Sequence, residues 1–525
     1  MPKSAFYLVS QPQITADVLN LSQPTQRRSG VTLTARRYSA QKPSSCKRFV
    51  HSQYTVIQTI TICVGQCGLQ VGLDFWTALA KEYGISVKDG KQATNSLTTA
   101  LPPAAFFHYG KHTDGSRKYV PRAILLDLEP GVLADNKETL GFMNPANIVT
   151  GEHFDAALDE ETKAAGAGNN WAHGFTKAPH VRSRRVRGES VMQIVKREVS
   201  HTNRLDSFLV VHSVAGGTGS GMGSWVIEQL RLSYPSTSIA TVSVFPNASD
   251  VTVQPYNMLL TLRRLISHTD AAIIVSNENI DGILQRQAAP AKGRQRFDND
   301  VILRVMLGWT AAIRTPTQRS AVSELIRMMR GPRSVNLFCP SCAPVRNPRI
   351  IRAKALMASF VDSNGYLVAD NQLALPRGSP GDDLSKSNKI ITALTVFQNT
   401  TESVEAVEAA VGAVRPAFAP WAIPMWKHIQ TASSRSPKPP SASAVTVVSC
   451  SGMAHVLRKV EGAVSRMLSG RSLEQMTTEQ LKKVPFMDTY LQALGAPECL
   501  DQFQEAYTVL TGAIELYTQA AHARP

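Results

Sequence analysis

Five glycines stand in the eight residues Gly216–Gly223, inside VHSVAGGTGSGMGSWVIEQL (Val211–Leu230), and no lysine stands among them. Glycine weakens any regular element and is kept where the backbone must approach something closely or take a positive φ. An apolar run, DSFLVVHSV (Asp206–Val214), precedes the loop, and a helical pattern, Met222–Ser233, follows it. A strand feeding such a loop into a helix gathers backbone amides and a helix N-terminus at one point, which makes an anion site. The Walker pattern G-x-x-x-x-G-K-[ST] is absent, and the spacing G-x-G-x-G-x-G is not the dinucleotide pattern G-x-G-x-x-G. Read as a phosphate loop, it uses amides as donors, and a bound cation or nearby dipoles must replace the lysine. Read as packing, it is a tight strand–helix joint.

The flanking sequence alternates strands with helices. VIQTITICV (Val56–Val64) is β-branched and apolar, and runs into GQCGLQVG (Gly65–Gly72) and a helical pattern through Leu79. RAILLDLEPG (Arg122–Gly131), ATVSVFP (Ala240–Pro246) and DAAIIVSN (Asp270–Asn277) read as further buried strands. Helical patterns occupy Glu189–Ser200 and Pro255–Ile266. This order predicts a parallel sheet covered on both faces, with ligands beyond the carboxyl ends of its strands. The second half reads as a helix over Asp300–Ile313, then mixed α/β with strands near Ser334–Phe338 and Ile390–Phe397. A Pro/Ser-rich loop (Ser433–Ala444) and helices over Gly452–Leu468 and Glu498–Thr518 follow.

The chain of 525 residues carries a net charge of +16, which favours anionic partners. Residues 1–55 hold eight Lys/Arg and one acid, Asp17, among Ser, Gln and Thr, and read as a disordered basic arm or a transit-like segment. No run of 18 apolar residues occurs, so no membrane partner is expected. The seven cysteines show no paired framework, which suggests a reducing compartment. Cys339 and Cys342 form one C-x-x-C pair, and no second pair completes a zinc site.

Five stretches in order carry a family resemblance. GQCGLQVG, LLDLEPG (Leu125–Gly131), GAGNNWAHG (Gly166–Gly174), GGTGSGMG (Gly216–Gly223) and SDVTVQPYN (Ser249–Asn257) resemble the successive nucleotide loops of the tubulin superfamily, and the likeness runs from about Val56 to the C-terminus. The stretch GAGNNWAHGF…ESVMQIVKREV…SVAGGTGSG looks most like delta-tubulin. So do Ala215 in AGG, where alpha, beta and gamma members mostly carry a third glycine, Gln254 in place of a glutamate, and the ending LGAPECLDQFQEAYTVLTGAIELYTQ. The last residues, AHARP, bring no acidic tail, so tail-dependent recruitment of motors is not expected of this sequence.

The resemblance implies a tubulin-like α/β fold: a parallel-sheet GTP-binding domain (54–278), a core helix and connecting loop (279–330), a mixed α/β intermediate domain (331–450) and C-terminal helices (451–525), after the extension 1–53. It implies GTP or GDP with Mg²⁺. Gly217, Thr218 and Gly219 would offer amides and a hydroxyl to phosphate, Ser213 a hydroxyl, and Gln66 and Cys67 the opposite side. Gly168 and Asn169 would meet the terminal phosphate, Asp250 the ribose and Asn277 the guanine edge. Glu129, with Asp127 behind it, would hold the magnesium through water. Phe297 in RFDND (Arg296–Asp300) is the aromatic nearest the family's stacking position, one residue out of register, and the second guanine contact is either made by Asn299 or lost to Asp300.

Two regions depart from the family. Between Asp300 and Asp362 the only acid is Glu324, among ten Lys/Arg; it is either the acid that orients water for a neighbouring subunit or a solvated helix residue. HVRSRRVRG (His180–Gly188) packs four arginines into six residues, which suits acidic protein surfaces; nucleic acid finds no interleaved aromatics there. The resemblance thus implies a cytoskeletal protein of the cytoplasm, working at centrioles, basal bodies and cilia. Its implied partners are alpha/beta tubulin, other divergent tubulins and centriolar proteins. The alternatives are a divergent alpha, beta or gamma subunit, or a stand-alone GTPase or nucleic-acid-binding protein on the same site.

Overall fold

A computed structural model describes residues 57–92, 104–111, 115, 117–129, 131, 137–151, 153–155, 166–183, 185–186, 188–247, 251–286, 294–315, 320–330, 335–343, 352–361, 389–400, 402–429 and 442–520, all within one compact unit, Thr55–Pro525. The basic arm, Asp250 and most of the Pro/Ser-rich stretch lie outside the described residues.

The strands are β1 (Gln58–Val64), β2 (Phe107–Lys111), β3 (Arg117–Pro121), β4 (Ala123–Leu126), β5 (Ile148–Val149), β6 (Leu205–Ser213), β7 (Ser238–Phe245), β8 (Ala271–Ser276), β9 (Leu337–Ala343), β10 (Ile390–Gln398), β11 (Pro424–Ile429) and β12 (Ser443–Cys450). Ten of them form one sheet in the order β11-β10-β12-β9-β8-β7-β6-β1-β4-β5, and β2–β3 is a separate hairpin. From β5 to β9 all neighbours are parallel. Only β12 opposes its neighbours, β9 and β10. The two halves of the chain share this sheet through the pairs Ala272↔Leu337 and Ile273↔Phe338.

The helices of seven residues or more are α1 (Gly65–Glu82), α2 (Trp171–Lys177), α3 (Val191–Ser200), α4 (Gly223–Ser233), α5 (Gln254–His268), α6 (Asn277–Arg286), α7 (Arg294–Trp309), α8 (Val322–Met329), α9 (Ala353–Val361), α10 (Val404–Ala413), α11 (Met453–Met467), α12 (Asp488–Leu494) and α13 (Ala496–Ala520). Strand alternation explains why both sheet faces need cover. On β6, Phe208 and Val210 face the core under α4, α5 and α13, while Leu209 and Val211 face the core under α1 and α7. Each such residue is fully buried, a gain of roughly 1.5–3 kcal/mol apiece. Ser190 starts α3: its hydroxyl accepts from the Gln193 amide, and the Gln193 side chain accepts from the Ser190 amide.

Several elements differ from their sequence reading. RAILLDLEPG is strand only over Ala123–Leu126; Asp127 bonds back to the Val149 carbonyl and the chain turns away. The helix expected over Asp300–Ile313 starts at Arg294 and breaks at Thr310, whose hydroxyl bonds the Met306 carbonyl at 2.7 Å. The strand near Ser334–Phe338 lies at Leu337–Ala343, and Ser443–Ala444 begin β12 rather than end a loop. No described helix is long and apolar enough to cross a membrane.

Candidate functional site

Five loops meet beyond the carboxyl ends of β1, β4, β6 and β7. At the first, β1 passes into α1 through Gly65, whose φ of +73° suits glycine; a Cβ there would sit 2.7 Å from the Gly219 amide nitrogen. Gln66 is exposed and Cys67 half-buried at the start of α1. The glycine loop leaves β6 at Ser213, whose hydroxyl accepts from the Ala215 amide at 3.3 Å. It enters α4 through a π-helical turn, Thr218–Met222, a local widening often found at functional sites. Ser220 ties the turn to the Gly216 carbonyl.

His212 fixes this loop from beneath. Its Nδ1–H donates to the Gly219 carbonyl at 2.9 Å, and its Nε2 accepts from the Ser243 hydroxyl at 3.0 Å, which pairs with Thr241 at 2.9 Å. Burial lowers the His212 pKa to about 4, so the ring is neutral and its tautomer is set by these partners.

The loop Gly166–Asn170 closes over the glycine loop. Gly168 and Asn169 both take left-handed backbone, with φ of +53° and +54°. A Cβ on Gly217 would lie 2.6 Å from Ala167 Cβ and 2.8 Å from the Asn170 amide nitrogen, so only glycine permits this approach. Asn170 caps α2, accepting from the Ala172 and His173 amides at 2.8 and 3.3 Å. Asn257 on α5, fully buried, links the two loops: its Nδ2 donates to the Ala215 and Asn169 carbonyls at 2.6 and 2.7 Å. Its Oδ1 accepts from the Trp171 amide at 2.8 Å and from the Tyr490 hydroxyl on α12.

On the β4 side, Asp127 is 2% exposed and its Oδ1 accepts from the Glu129 amide at 3.1 Å. Its Oδ2 has no hydrogen-bond partner. Burial, then the charge of Glu129, raise its pKa to about 7 against the pull of the Glu129 and Leu128 amides and the nearby Thr218 hydroxyl. Glu129 is exposed, and its Oε1 lies 3.9 Å from where a Cβ on Gly166 would be. Lys177, 1% exposed, reaches the Gly166 carbonyl from below. A buried carboxylate with an unpaired oxygen, next to an exposed one, suits a hard cation.

Asn277 opens α6 at the end of β8, and its buried Oδ1 has no partner; neither has the buried Oε1 of Gln254. Both acceptors await donors of the kind a base edge or a sugar hydroxyl offers. Asp250 and the Phe297 side chain lie outside the described residues; Asn299 is half-buried and Asp300 exposed on α7.

Glu324 is not part of this convergence. On α8, the Ser323 amide and hydroxyl bond Asp206, the second residue of β6. That is the amino end of β6, about 23 Å from Ser213 at 3.3 Å per strand residue. Its carboxylate pairs with Lys427 Nζ at 2.8 Å. Burial pushes its pKa up, but Lys427 and hydrogen bonds to Ser320 and the Ala321 amide bring it below the usual range.

Other sequence features resolve into packing. Cys339 and Cys342 differ by three along β9, so they face opposite cores, and no cluster of three metal-binding side chains occurs among the described residues. Arg182 pairs with Asp155 and bonds the Pro179 and Val181 carbonyls, so it belongs to its own fold, while Arg185 is exposed. His212, Lys177 and Asn257 had no role in the sequence reading. Their signals were a histidine inside an apolar strand, a lysine just after the GAGNNWAHG motif and the last residue of SDVTVQPYN.

Residues 58–285 match the model of the Tubulin/FtsZ family, GTPase domain. The matched span holds all five loops and excludes Glu324. The match and the ten-stranded sheet agree on a tubulin-like α/β fold and support a GTP-binding protein of the tubulin superfamily.

Proposed function

We propose that this chain is a guanine-nucleotide-binding cytoskeletal protein of delta-tubulin type, acting in the formation or stability of centriole and basal-body triplet microtubules and in cilium assembly. The observation that carries the nucleotide reading is the meeting of the glycine loop, Gly65 and Gly166–Asn170 at backbone-contact distance, with unpaired buried acceptors at Asp127, Gln254 and Asn277 around them. In this reading the Gly217 and Gly219 amides and the Thr218 and Ser213 hydroxyls hold the inner phosphates, and Gln66 and the Cys67 amide hold them from the other side. Gly168 and Asn169 meet the terminal phosphate, Asp250 the ribose and Asn277 the guanine. Glu129 and Asp127 hold Mg²⁺, which supplies the charge neutralisation that lysine gives other phosphate loops.

The delta-type reading rests on Ala215, Gln254 and the C-terminal sequence, and its partners would be alpha/beta tubulin, other divergent tubulins and centriolar proteins. The ion pair that engages Glu324 favours an assembly partner over a subunit that drives its neighbour's hydrolysis. The purified chain should bind GTP in a Mg²⁺-dependent manner and discriminate against ATP. Thr218→Val should weaken GTP binding tenfold to a hundredfold, from roughly 1.5–3 kcal/mol for one hydrogen bond to a charged group. Equal affinity for ATP and GTP defeats the guanine assignment. Diffuse distribution of a tagged chain in ciliated cells, with no centriolar signal, defeats the delta-type assignment.

A further inference from the structure

A second concave site adjoins the fifth loop, whose Val251, Thr252, Gln254 and Pro255 line part of it. Helix α11 runs past the start of α5 and the carboxyl ends of β7 and β8, and a cleft of about 770 Å³ opens between them. None of Gly65–Cys67, Gly166–Asn170 or Gly216–Gly223 lines it. Its volume falls in the range of pockets that enclose a ligand.

The α11 wall has a regular pattern. Arg458, Gly462 and Arg466 are spaced by four, so they share one helix face. Gly462 forms a notch between the two arginines: a Cβ there would lie 3.6 Å from Arg466 Nη1. Arg458 donates to the Thr518 hydroxyl at 2.8 Å, and neither guanidinium pairs with a carboxylate among the described residues. Pro255 and Met258 of α5 also line the cleft, and Glu278 is the single acid among its lining residues. An arginine on a convex surface is satisfied by water alone. Two guanidinium forks flanking a notch, in a cleft that also holds Pro255 and Met258, suit a ligand with carboxylates on either side of an apolar group.

We infer that this cleft binds an acidic peptide segment of a partner protein, its carboxylates on Arg458 and Arg466 and an apolar side chain over Gly462 against Pro255 and Met258. Charge selects the occupant. The chain carries +16 overall, and its own arm has eight Lys/Arg and one acid in residues 1–55, the wrong sign to fold back onto arginines. Phe245 is the single aromatic among the lining residues, so the stacking platform that single-stranded nucleic acid uses is missing. Val251 and Gln254 also line the cleft, so an occupant would touch the stretch that leads from β7 into α5.

The probe is a fluorescein-labelled peptide of alternating glutamate and leucine, titrated into the full chain and read by anisotropy. Arg458→Glu/Arg466→Glu should weaken binding at least tenfold, and Arg117→Glu, on an exposed arginine of the separate β2–β3 hairpin, should leave it unchanged. Gly462→Leu, which fills the notch without touching charge, should weaken it similarly. A Gln/Leu peptide of the same length should bind the unaltered chain at least tenfold less tightly, a comparison that needs no variant to fold. Equal binding of the acidic and neutral peptides overturns the proposal. So does a Arg458→Glu/Arg466→Glu variant with a wild-type melting profile and undiminished affinity. Displacement of the peptide by an equimolar single-stranded oligonucleotide overturns it in favour of nucleic acid.

Discussion

Replacing Asn257 by alanine tests whether the phosphate-facing loops are held from behind. The side chain is fully buried and makes four hydrogen bonds, to Ala215, Asn169, Trp171 and Tyr490. At a net of about 1 kcal/mol each, their loss sums to about 4 kcal/mol. The Trp171 amide, the first of α2, is left buried without an acceptor, a penalty of about 1–3 kcal/mol that overlaps with that sum. Against a total stability of about 5–15 kcal/mol, this is a large share. Tyr490→Phe removes one of the four bonds and should cost about 1 kcal/mol alone. In the Asn257→Ala background the same change should cost almost nothing, because the partner is already gone. Urea unfolding of the four proteins gives the cycle, and GTP titration gives the functional readout. Because the carbonyls of Ala215 and Asn169 lose their common anchor, nucleotide affinity should fall along with stability. An Asn257→Ala protein within 0.5 kcal/mol of wild type refutes the argument, as does full additivity of the two substitutions.

His212 sets a pH dependence. Burial depresses its folded pKa to about 4 from the ordinary histidine value of 6.5, so the stability it contributes is present above pH 6.5 and lost as pH falls from 6.5 towards 4, about 3 kcal/mol in all; His212→Gln should flatten that part of the unfolding-versus-pH curve, and an unchanged slope would show that another group controls it. Lys177→Met removes the cation beneath Gly166 and should weaken GTP binding about tenfold or more while affecting GDP less, as the loop above it is the one proposed for the terminal phosphate; equal losses for the two nucleotides would make Lys177 a purely structural residue. Glu324→Ala should leave single-turnover GTP hydrolysis by the isolated chain unchanged, since the residue stands at the far end of β6; a loss appearing only when alpha/beta tubulin is added would restore it as the acid that orients water for a neighbour.

Local chemistry made the site region legible and left its supports hidden. The glycine loop could be read because five glycines in eight residues weaken any regular element unless a close approach requires them, and the structure places a π-helical turn and two backbone-to-backbone approaches there. Acids and asparagines at strand ends could be read because strand runs end visibly, so Asp127, Glu129 and Asn277 fall where their runs stop. The anchors are a different matter. Asn257 works through carbonyls 42 and 88 residues away, and its α12 partner Tyr490 comes from 233 residues away, distances that no periodicity encodes. The same limit explains β9 and β12. Once β9 pairs with β8, its alternation sends Cys339 and Cys342 to opposite faces, so a pattern that resembles half a zinc site is two separate core positions. Period-two geometry alone would have divided that pair, had the segment been recognised as a strand. Pro340, a residue type that central strands disfavour, lies within this strand opposite Val447, so tertiary pairing overrides the local preference there.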